Sequence, residues 1–429
     1  MSMSARRPRT IPLYFEDPYL KTFEAEVLKV IRGPSGTLVE LDRTAFHPRG
    51  GGQPGDSGIL LEKSSGREIR VIDTQVLDDG IAHVLAEGVI PPVGKVEGII
   101  DWERRYRFMR LHTAEHILFR SLQMRVPDAS VEKIVLDENT GGKMFITPIN
   151  IPWKELVAAE ETASRMVVEE GLEVSATLFE GTAPARESFP DVRMKDARLK
   201  GNEGVRIVSV AGFDAAACTG THVRNTREIG FMKLTGVGMA DGGMLELRFE
   251  VGDAALKTAR TLANAALEAS TILKTTPDKL ARTTSNLKED FENMKEAFKN
   301  ASKELASTKR GSLSAGTEKV GDSRICAGNL YGLRREEVIE AANKLVKEDD
   351  GLIVVLVGGA HAPVLVLARG RKSKEIDLLP IGKAMCGIMG GGCGGKPSFV
   401  SGCGTKAEKI REALNAARDA IIARLKDGQ

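Results

Sequence analysis

The sequence predicts an α+β multidomain protein that begins with a small β-barrel and ends with a glycine-rich α/β domain. Short β-rich runs separated by glycine and proline fill residues 23–98. Helical and β-type segments are mixed from residue 102 to about 251 and again from about 323, and an almost purely helical stretch lies between them. At 429 residues, the chain is long enough for several domains that each bury a core.

The composition narrows the class of protein. Hydrophobic residues at 42% and charged residues at 28% are typical of a soluble globular protein. A net charge of +2 does not by itself indicate that the protein binds nucleic acid. A polyanion would have to bind at a local cluster of basic residues, such as the arginines of 104–110. Five scattered cysteines favour reduced thiols and a cytoplasmic location. The most apolar segment, from Leu352, is broken by glycines and Pro363, so we expect no membrane span.

The sequence predicts four domains. They are residues 1–99, a β-barrel-like domain that carries a GGQ loop; 100–252, an α+β domain; 253–315, a helical hairpin or dimerisation arm; and 316–429, an α/β domain. In the second, helices are expected over 102–122 and 153–170, and strands near 172–179, 204–211 and 228–234. In the fourth, we expect a helix over 334–347, strands near 352 and 364, and a last helix from about 405.

The helical arm carries an apolar stripe. Pro277 after Thr276 marks the start of its second helix. The following apolar residues are mostly spaced alternately by four and three, which is typical of a coiled coil: Leu280, Leu287, Phe291, Met294, Phe298, Ala301 and Leu305. The stripe favours a homodimer, although a helix packed on its own domain would show the same short pattern. The segment GSLSAGTEKVGDS after it is predicted to be a linker.

The stretch LHTAEHILF places His112 and His116 four residues apart. On a helix both imidazoles leave the same face, with Cβ atoms about 5–6 Å apart, so that one ion can bind both. The alternative is a semi-buried face in which each ring bonds a backbone group. CTGTH supplies a second pair, Cys218 and His222, and the two pairs together would form a Cys-His₃ zinc site. Alternatively, Cys218 is a buried thiol that behaves as a small hydrophobe.

Three motifs in one order resemble a known family. FHPRGGGQPGDSG at 46–58, DWERRYRFMRLHTAEHIL at 101–118 and CTGTHVRNTREIG at 218–230 resemble the editing domain of alanyl-tRNA synthetase and of its free-standing AlaX-type relatives. The glycine-rich tail resembles the DHH-associated C-terminal domain of the synthetase. Thr219 departs from the glycine that is usual in the family's CGGTH motif, and Cys393 interrupts a run of glycines.

The resemblance implies a zinc-containing editing domain over 100–252 in a long AlaX-type protein. Such a protein hydrolyses the ester that joins a wrong amino acid, serine or glycine, to tRNA(Ala). Few residues precede the first motif, so the sequence favours a proofreader that acts in trans. Four protein ligands are typical of a structural zinc, whereas a catalytic zinc usually keeps one position open, and the sequence does not choose between them.

Further site residues are expected around the GGQ loop. Gly51 and Gly52 let a backbone approach the substrate, and Gln53 offers a donor and an acceptor to orient water or a carbonyl. The alternative is a plain polyglycine turn. Thr44 matches the threonine with which the family senses the serine hydroxyl, although a strand threonine that faces solvent remains the alternative. Arg104 and Arg105 are candidates for phosphate contacts, as is Lys396 beside a phosphate-holding glycine loop at 390–396.

Three other functions compete with editing. A zinc-dependent hydrolase of small esters would use the same ligands, but HTAEH lacks the HExxH order of metalloproteases. A non-catalytic tRNA-binding module with structural zinc fits the four-ligand count. A DHH-type phosphoesterase would need an Asp-His-His run, which this sequence does not contain.

Overall fold

A computed structural model describes residues 10–33, 36–77, 80–194, 204–315, 317–359, 362–373 and 375–426. It describes only the backbone of residues 302–303, 305–307, 309–312, 314–315 and 331. The chain divides into two units, Met1–Ala269 and Ser270–Gln429.

The first unit begins with a closed six-stranded barrel, as the sequence predicted. The strands of this region, six in the barrel and two beside it, are β1 (Ile11–Pro12), β2 (Thr22–Gly33), β3 (Gly36–Leu41), β4 (Arg43–Thr44), β5 (Gly58–Glu62), β6 (Glu68–Leu77), β7 (Gly80–Leu85) and β8 (Lys95–Ile100). The barrel closes in the order β2-β3-β7-β6-β5-β8, and the short β1 and β4 pair in parallel. In β6, Ile69 and Val71 are fully buried between exposed neighbours, which is the alternation expected when one face of a strand packs on a core.

The rest of the first unit combines helices with two antiparallel sheets. Its elements are α1 (Trp102–Gln123), β9 (Ser130–Asp137), β10 (Gly141–Thr147), α2 (Trp153–Arg165), β11 (Val174–Phe179), α3 (Thr182–Ser188), β12 (Val205–Val210), β13 (Asp214–Ala217), β14 (Met232–Ala240), β15 (Met244–Val251) and α4 (Gly252–Ile272). The sheet orders are β14-β15-β10-β9 and β11-β12-β13. The strand expected near 228 begins only at Met232, because a 3₁₀ turn over Thr226–Ile229, capped by Asn225, precedes it.

Helix α1 is the centre of this second core. It spans nearly the 102–122 that the sequence predicted, and the Asp101 side chain caps it by accepting from the backbone N–H of Arg104. Phe108, Leu111 and Ile117 are fully buried in one cluster with residues of both sheets. Residues in the middle of α1 are therefore held in place by packing on nearly every side.

The second unit is an α/β domain joined to a long helix. Its elements are α5 (Leu280–Ala315), β16 (Glu318–Val320), β17 (Ser323–Tyr331), α6 (Arg335–Glu348), β18 (Leu352–Gly359), β19 (Val364–Arg369), α7 (Leu379–Ile388), β20 (Gly392–Lys396), β21 (Phe399–Cys403) and α8 (Ile410–Lys426). The sheet order is β16-β17-β18-β19-β21-β20, with β17 and β18 parallel. All eight residues of β18 are buried, because α6 covers one face of the sheet and α7 with α8 covers the other.

Two expectations for this unit are wrong. The segment GSLSAGTEKVGDS, predicted to be a linker, lies mostly in regular elements where it is described, because α5 continues to Ala315 and Glu318–Val320 forms a strand. The loop predicted at 390–396 to hold phosphate is mostly strand β20, which pairs with β21 in a hairpin. Part of its backbone is thus engaged in the sheet, and Lys396 lies exposed at the end of the strand.

Helix α5 exposes much of the stripe that the sequence singled out. The exposed fractions are 53% for Leu287, 62% for Phe291, 69% for Met294 and 58% for Phe298. The side chain of Leu305 lies outside the described residues. Among the helices that the structure describes, none is long and apolar enough to cross a membrane.

Candidate metal centre and its cavity

Two distant pairs of side chains meet in the first unit. His112 and His116 lie on α1, and Cys218 and His222 lie on the segment after β13. One ligand atom from each lies within 4.8 Å of those of the others, with the Cys218 Sγ 3.4 Å from His112 Nε2 and 3.3 Å from His222 Nε2. Two ligands of a tetrahedral zinc, at about 2.0–2.3 Å from it, would stand about 3.3–3.8 Å apart. The donor set and the two distances from Cys218 therefore fit a zinc ion.

The protonation of Cys218 and His222 also suits metal binding. Burial alone would raise the pKa of the Cys218 thiol, but the electrostatic influence of the His112 and His222 rings, with hydrogen bonds from His112 and His116, outweighs it and holds that pKa well below its usual value. Burial, together with the electrostatic influence of His112, holds the pKa of His222 well below its usual value. A thiolate and a neutral imidazole are the forms that bind metals.

Each histidine turns its Nδ1 toward an outer polar group. His112 Nδ1 lies 3.0 Å from Gln53 Oε1, and because an amide oxygen only accepts, the ring must donate there. The hydroxyl of Thr113 donates to Met109 O, so its oxygen accepts from His222 Nδ1 at 3.1 Å. Both rings thus carry their proton on Nδ1 and direct the Nε2 lone pair toward the centre.

The third histidine faces a buried ion pair. His116 Nδ1 lies 3.5 Å from Asp214 Oδ2, and Asp214 accepts from Arg193 Nε at 2.9 Å and from a terminal nitrogen of Arg193 at 2.6 Å. Burial would raise the pKa of Asp214, but His116 and Arg193 keep that pKa low. A carboxylate behind a histidine fixes the ring and makes it a stronger metal ligand.

Gln53 is more tightly held than the sequence suggested. Its side chain is 1% exposed. Besides its bond with His112, its Oε1 accepts from Thr221 N at 3.1 Å and its Nε2 donates to Thr221 Oγ1 at 2.9 Å. The Gln53 amide, which was expected to orient water or a carbonyl, therefore uses its hydrogen bonds to hold His112 and the Cys218–His222 segment.

The glycines beside Gln53 and His112 allow close approach. Gly52 has φ +90°, and a Cβ there would lie 2.7 Å from the carbonyl oxygen of Ile134. A Cβ on Gly220 would lie 2.1 Å from His112 Cε1. Gly51, with φ +59°, lines the cavity described next. At Gly52 and Gly220, only glycine fits without displacing a neighbour.

A cavity of about 550 Å³ opens beside the four ligands. Three of them, His112, His116 and Cys218, line it together with Glu115 and Thr219. Its remaining wall is largely apolar and includes Phe119, Ala129, Val131, Ile134, Val192 and Val205. The volume lies within the roughly 300–1,000 Å³ of small-molecule sites.

Thr44 lies elsewhere. It is fully buried and is not among the described residues that line the cavity. Because His83 Nδ1 donates to Val39 O, His83 Nε2 accepts the Thr44 hydroxyl proton at 2.8 Å. The same hydroxyl oxygen accepts from Phe46 N. Burial lowers the pKa of His83 to about 4, which keeps this ring neutral.

The arginines before the histidine pair bond to protein groups. Arg105, which was expected to contact tRNA, is completely buried and forms an ion pair with Asp56 while donating to Ala45 O and Pro18 O. Arg104 donates to Gly55 O, and its side chain is 18% exposed. Because the Arg105 guanidinium has no access to solvent, we leave this residue out of the proposed RNA contact.

Sequence reasoning missed the outer partners of the ligands. Thr113, Thr221 and Asp214 are ordinary residues in the sequence, and their roles depend on contacts across 109, 168 and about a hundred positions. Arg206 was missed as well, and its guanidinium holds the ligand segment by donating to Cys218 O and Gly220 O at 2.9 Å each. Only the position of Thr113 and Thr221, each next to a predicted ligand, offered a signal.

Comparison with known proteins identifies two family models. The second additional domain of threonyl and alanyl tRNA synthetases matches residues 205–246, which include Cys218 and His222. The DHHA1 domain matches residues 322–423, nearly all of the α/β part of the second unit. The two matches fall in different units of the structure.

Several alanine–tRNA ligases are similar over almost the whole chain. The ligase of Pyrobaculum neutrophilum is 32% identical over 96% of this chain and 45% of its own length. That of Pyrococcus furiosus is 31% identical over 96% of this chain and 44% of its own. The chain thus spans about half the length of these relatives.

One solved structure also matches, the C-Ala domain from Aquifex aeolicus alanyl-tRNA synthetase. It is 20% identical, covers 24% of this chain and 95% of that domain, and has a TM-score of 0.23, too low to support an argument about the fold. The two family models and the extended similarity to the ligases lead to one conclusion. This chain is related to alanyl-tRNA synthetase, and it carries a tRNA_SAD domain and a DHHA1 domain.

Proposed function

We propose that this chain is a long AlaX-type deacylase that hydrolyses tRNA(Ala) mischarged with serine and, as a second substrate, with glycine. One observation carries the proposal: a Cys-His₃ set converges beside a cavity of about 550 Å³ in a chain related to alanyl-tRNA synthetase. The proposed cofactor is Zn²⁺, the proposed location is the cytoplasm, and the protein acts in trans on tRNA supplied by another enzyme.

The reaction needs little beyond positioned groups, because an aminoacyl ester is already activated. The water oxygen bonds to the ester carbonyl carbon, the bond from that carbon to the ribose oxygen breaks, and the ribose oxygen takes a proton. Bound zinc would supply a Lewis acid at this centre. Gln53, Thr113 and Asp214 hold the three ligand rings in fixed orientations.

The cavity wall is largely apolar. Because Phe119, Val131 and Ile134 bind water poorly, water weakens electrostatic interactions near the ligands less than it would at an exposed surface. The volume allows the aminoacyl group to enter with part of the terminal nucleoside. In this proposal Gln53 is a positioning residue of the metal centre, and Gly51 and Gly52 let the loop lie close to the substrate.

We still predict that Thr44 affects serine recognition, but only indirectly. Its hydroxyl bonds His83 inside the barrel, so a Thr44→Val change would act on the substrate only by moving the strand that leads to the GGGQ loop. For tRNA contact we propose Lys396, which is exposed, and the part of Arg104 that remains accessible.

A deacylation assay tests the function. Purified chain is incubated with seryl-tRNA(Ala), glycyl-tRNA(Ala) and alanyl-tRNA(Ala), and the remaining ester is measured over time. We expect seryl-tRNA(Ala) to be cleared at least about tenfold faster than alanyl-tRNA(Ala), and a chelated sample to be inactive. Equal clearance of all three esters, or clearance of none, would contradict the proposal.

A non-catalytic tRNA-binding module is the second candidate, favoured by the count of four protein ligands, which is typical of structural zinc. In that case the chain binds tRNA(Ala) and retains metal, yet the same assay shows no hydrolysis of any ester. A small-ester hydrolase would instead cleave simple seryl esters as fast as seryl-tRNA(Ala).

We propose in addition that the α5 stripe pairs two copies of the chain. Four large apolar side chains on one helix are more than half exposed, and a second copy of the same helix would cover them. Replacing Phe291 and Phe298 by aspartate should shift the protein from dimer to monomer in sedimentation equilibrium. Replacing Lys288 and Lys299 by aspartate, on the same helix, is the matched control. A wild-type monomer would overturn the proposal.

A further inference from the structure

Three of the five cysteines lie on neighbouring elements of the second unit. Cys386 lies on α7, Cys393 in β20 and Cys403 at the end of β21. Cys386 is 1% exposed, Cys393 is half-buried and Cys403 is exposed. The pairing of β20 with β21 sets Cys393 opposite Gly402, and Gly392 opposite Cys403. Because side chains alternate between the two faces of a strand, Cys393 and Cys403 leave opposite faces of the hairpin.

The thiols of Cys386 and Cys393 lie on the same face of this hairpin. A Cβ placed on Gly402 would lie 2.5 Å from Cys393 Cβ and 2.6 Å from Cys386 Sγ, so those two atoms lie within about 5 Å of each other. A Cβ on Gly382, one turn before Cys386 on α7, would lie 3.3 Å from Cys393 Sγ. The Cys393 thiol therefore lies against the side of α7 that carries Cys386, and the two glycines leave room for it.

This pair of thiols favours oxidation over metal binding. Burial, and after it the neighbouring Cys393, raises the pKa of the Cys386 thiol, so this thiol stays protonated in the resting protein. A metal would need the thiolate. Among the described residues, no third metal-binding side chain completes a site with the pair. Oxidation joins two thiols directly and needs no further ligand.

We propose that Cys386 and Cys393 form a disulfide when the protein meets hydrogen peroxide, and that a dithiol reductant restores both thiols. The half-buried Cys393 meets the oxidant first: its sulfur bonds to one peroxide oxygen, the O–O bond breaks, and one water leaves. The Cys386 sulfur then bonds to the Cys393 sulfur, the S–O bond breaks, and the departing hydroxide takes the Cys386 proton. The two thiols lose two electrons, and the peroxide is reduced to two molecules of water.

The disulfide would fasten an edge strand to the domain. Strand β20 is the last strand of the sheet, and it consists of three glycines, Cys393 and the exposed Lys396. Cys393 is thus the one side chain of β20 that packs against the core. A strand with a single anchor and one unpaired edge opens easily. A covalent bond from that anchor to α7 should hold β20 in the sheet.

Peptide mapping of the whole chain tests the proposal. The protein is treated with hydrogen peroxide, its free thiols are blocked with N-ethylmaleimide in denaturant, and trypsin releases residues 384–406, which contain all three cysteines. We expect this peptide to carry one maleimide, on Cys403, with Cys386 joined to Cys393. That bond should form at least about tenfold faster than any bond to Cys403, because the two thiols are already close. Treatment with dithiothreitol before blocking should give a peptide with three maleimides.

Hydrogen exchange over residues 392–396 gives a second measurement. These amides should exchange more slowly in the oxidised wild type than in the reduced one. In Cys386→Ser, peroxide should leave their exchange unchanged. Cys403→Ser is the matched control, and it should form the bond and slow the exchange as the wild type does.

Three results would overturn the proposal. The first is a peroxide-treated wild type in which Cys386 and Cys393 both still take maleimide. The second is a bond from Cys403 to either of them that forms as fast as the expected one. The third is an oxidised wild type whose β20 amides exchange as fast as those of the reduced protein.

Discussion

Cys218→Ala should abolish deacylation of seryl-tRNA(Ala) and remove most of the bound metal. Cys218 is the only sulfur ligand in the cluster, and its Sγ lies 3.3–3.4 Å from two of the three histidines. Loss of an outer partner of a metal ligand typically costs 10–100-fold in affinity or activity, so loss of the thiolate itself should cost more than about 100-fold. Metal content by atomic emission and single-turnover deacylation measure both effects.

The matched control is Cys403→Ala. Cys403 is exposed and lies in the second unit, so its removal should leave metal content and deacylation at wild-type values. A Cys218→Ala protein that retained metal and cleared seryl-tRNA(Ala) normally would contradict both the zinc site and the role assigned to it. Retained metal with lost activity would indicate that the thiolate acts on the reaction and not on metal retention.

Arg105→Met should lower the free energy of unfolding by about 3–5 kcal/mol. The substitution leaves Asp56 buried without its ion-pair partner and removes the donors to Ala45 O and Pro18 O. Urea unfolding followed by circular dichroism measures the change. Arg43→Met is the control, because Arg43 is about half exposed and its ion pair with Asp42 should contribute no more than about 1 kcal/mol.

This prediction also separates the two interpretations of the arginine-rich segment. If Arg105 instead contacted a phosphate, its replacement would leave the free energy of unfolding unchanged. It would then reduce tRNA affinity and make that affinity less dependent on salt. The burial of its side chain leads us to expect the opposite result.

The parts of the site that local sequence patterns encode were predictable. A spacing of four on a helix, or within one short segment, determines which side chains can share an ion, so the two ligand pairs could be proposed before the structure. The barrel was predictable for the same reason, since short β-rich runs separated by glycine and proline are local signals.

Long-range contacts account for what the sequence did not reveal. A run of arginines has the same appearance whether it faces solvent or a carboxylate, and the partner of Arg105 lies 49 residues away. The Gln53 side chain could be recognised as a positioning group only once Thr221 and His112 stood beside it. The glycine and the two serines of GSLSA have low helix propensity, yet the backbone of α5 continues through them.

The position of Gln53 has a consequence for how the protein acquires its activity. The barrel supplies Gln53, α1 supplies two ligands, and the other two come more than a hundred residues later. Closing such large loops costs conformational entropy. Proteins rich in contacts of high sequence separation therefore fold slowly. During refolding, helical ellipticity should thus return before ester cleavage does, and the fragment 205–246 alone would not carry a working centre.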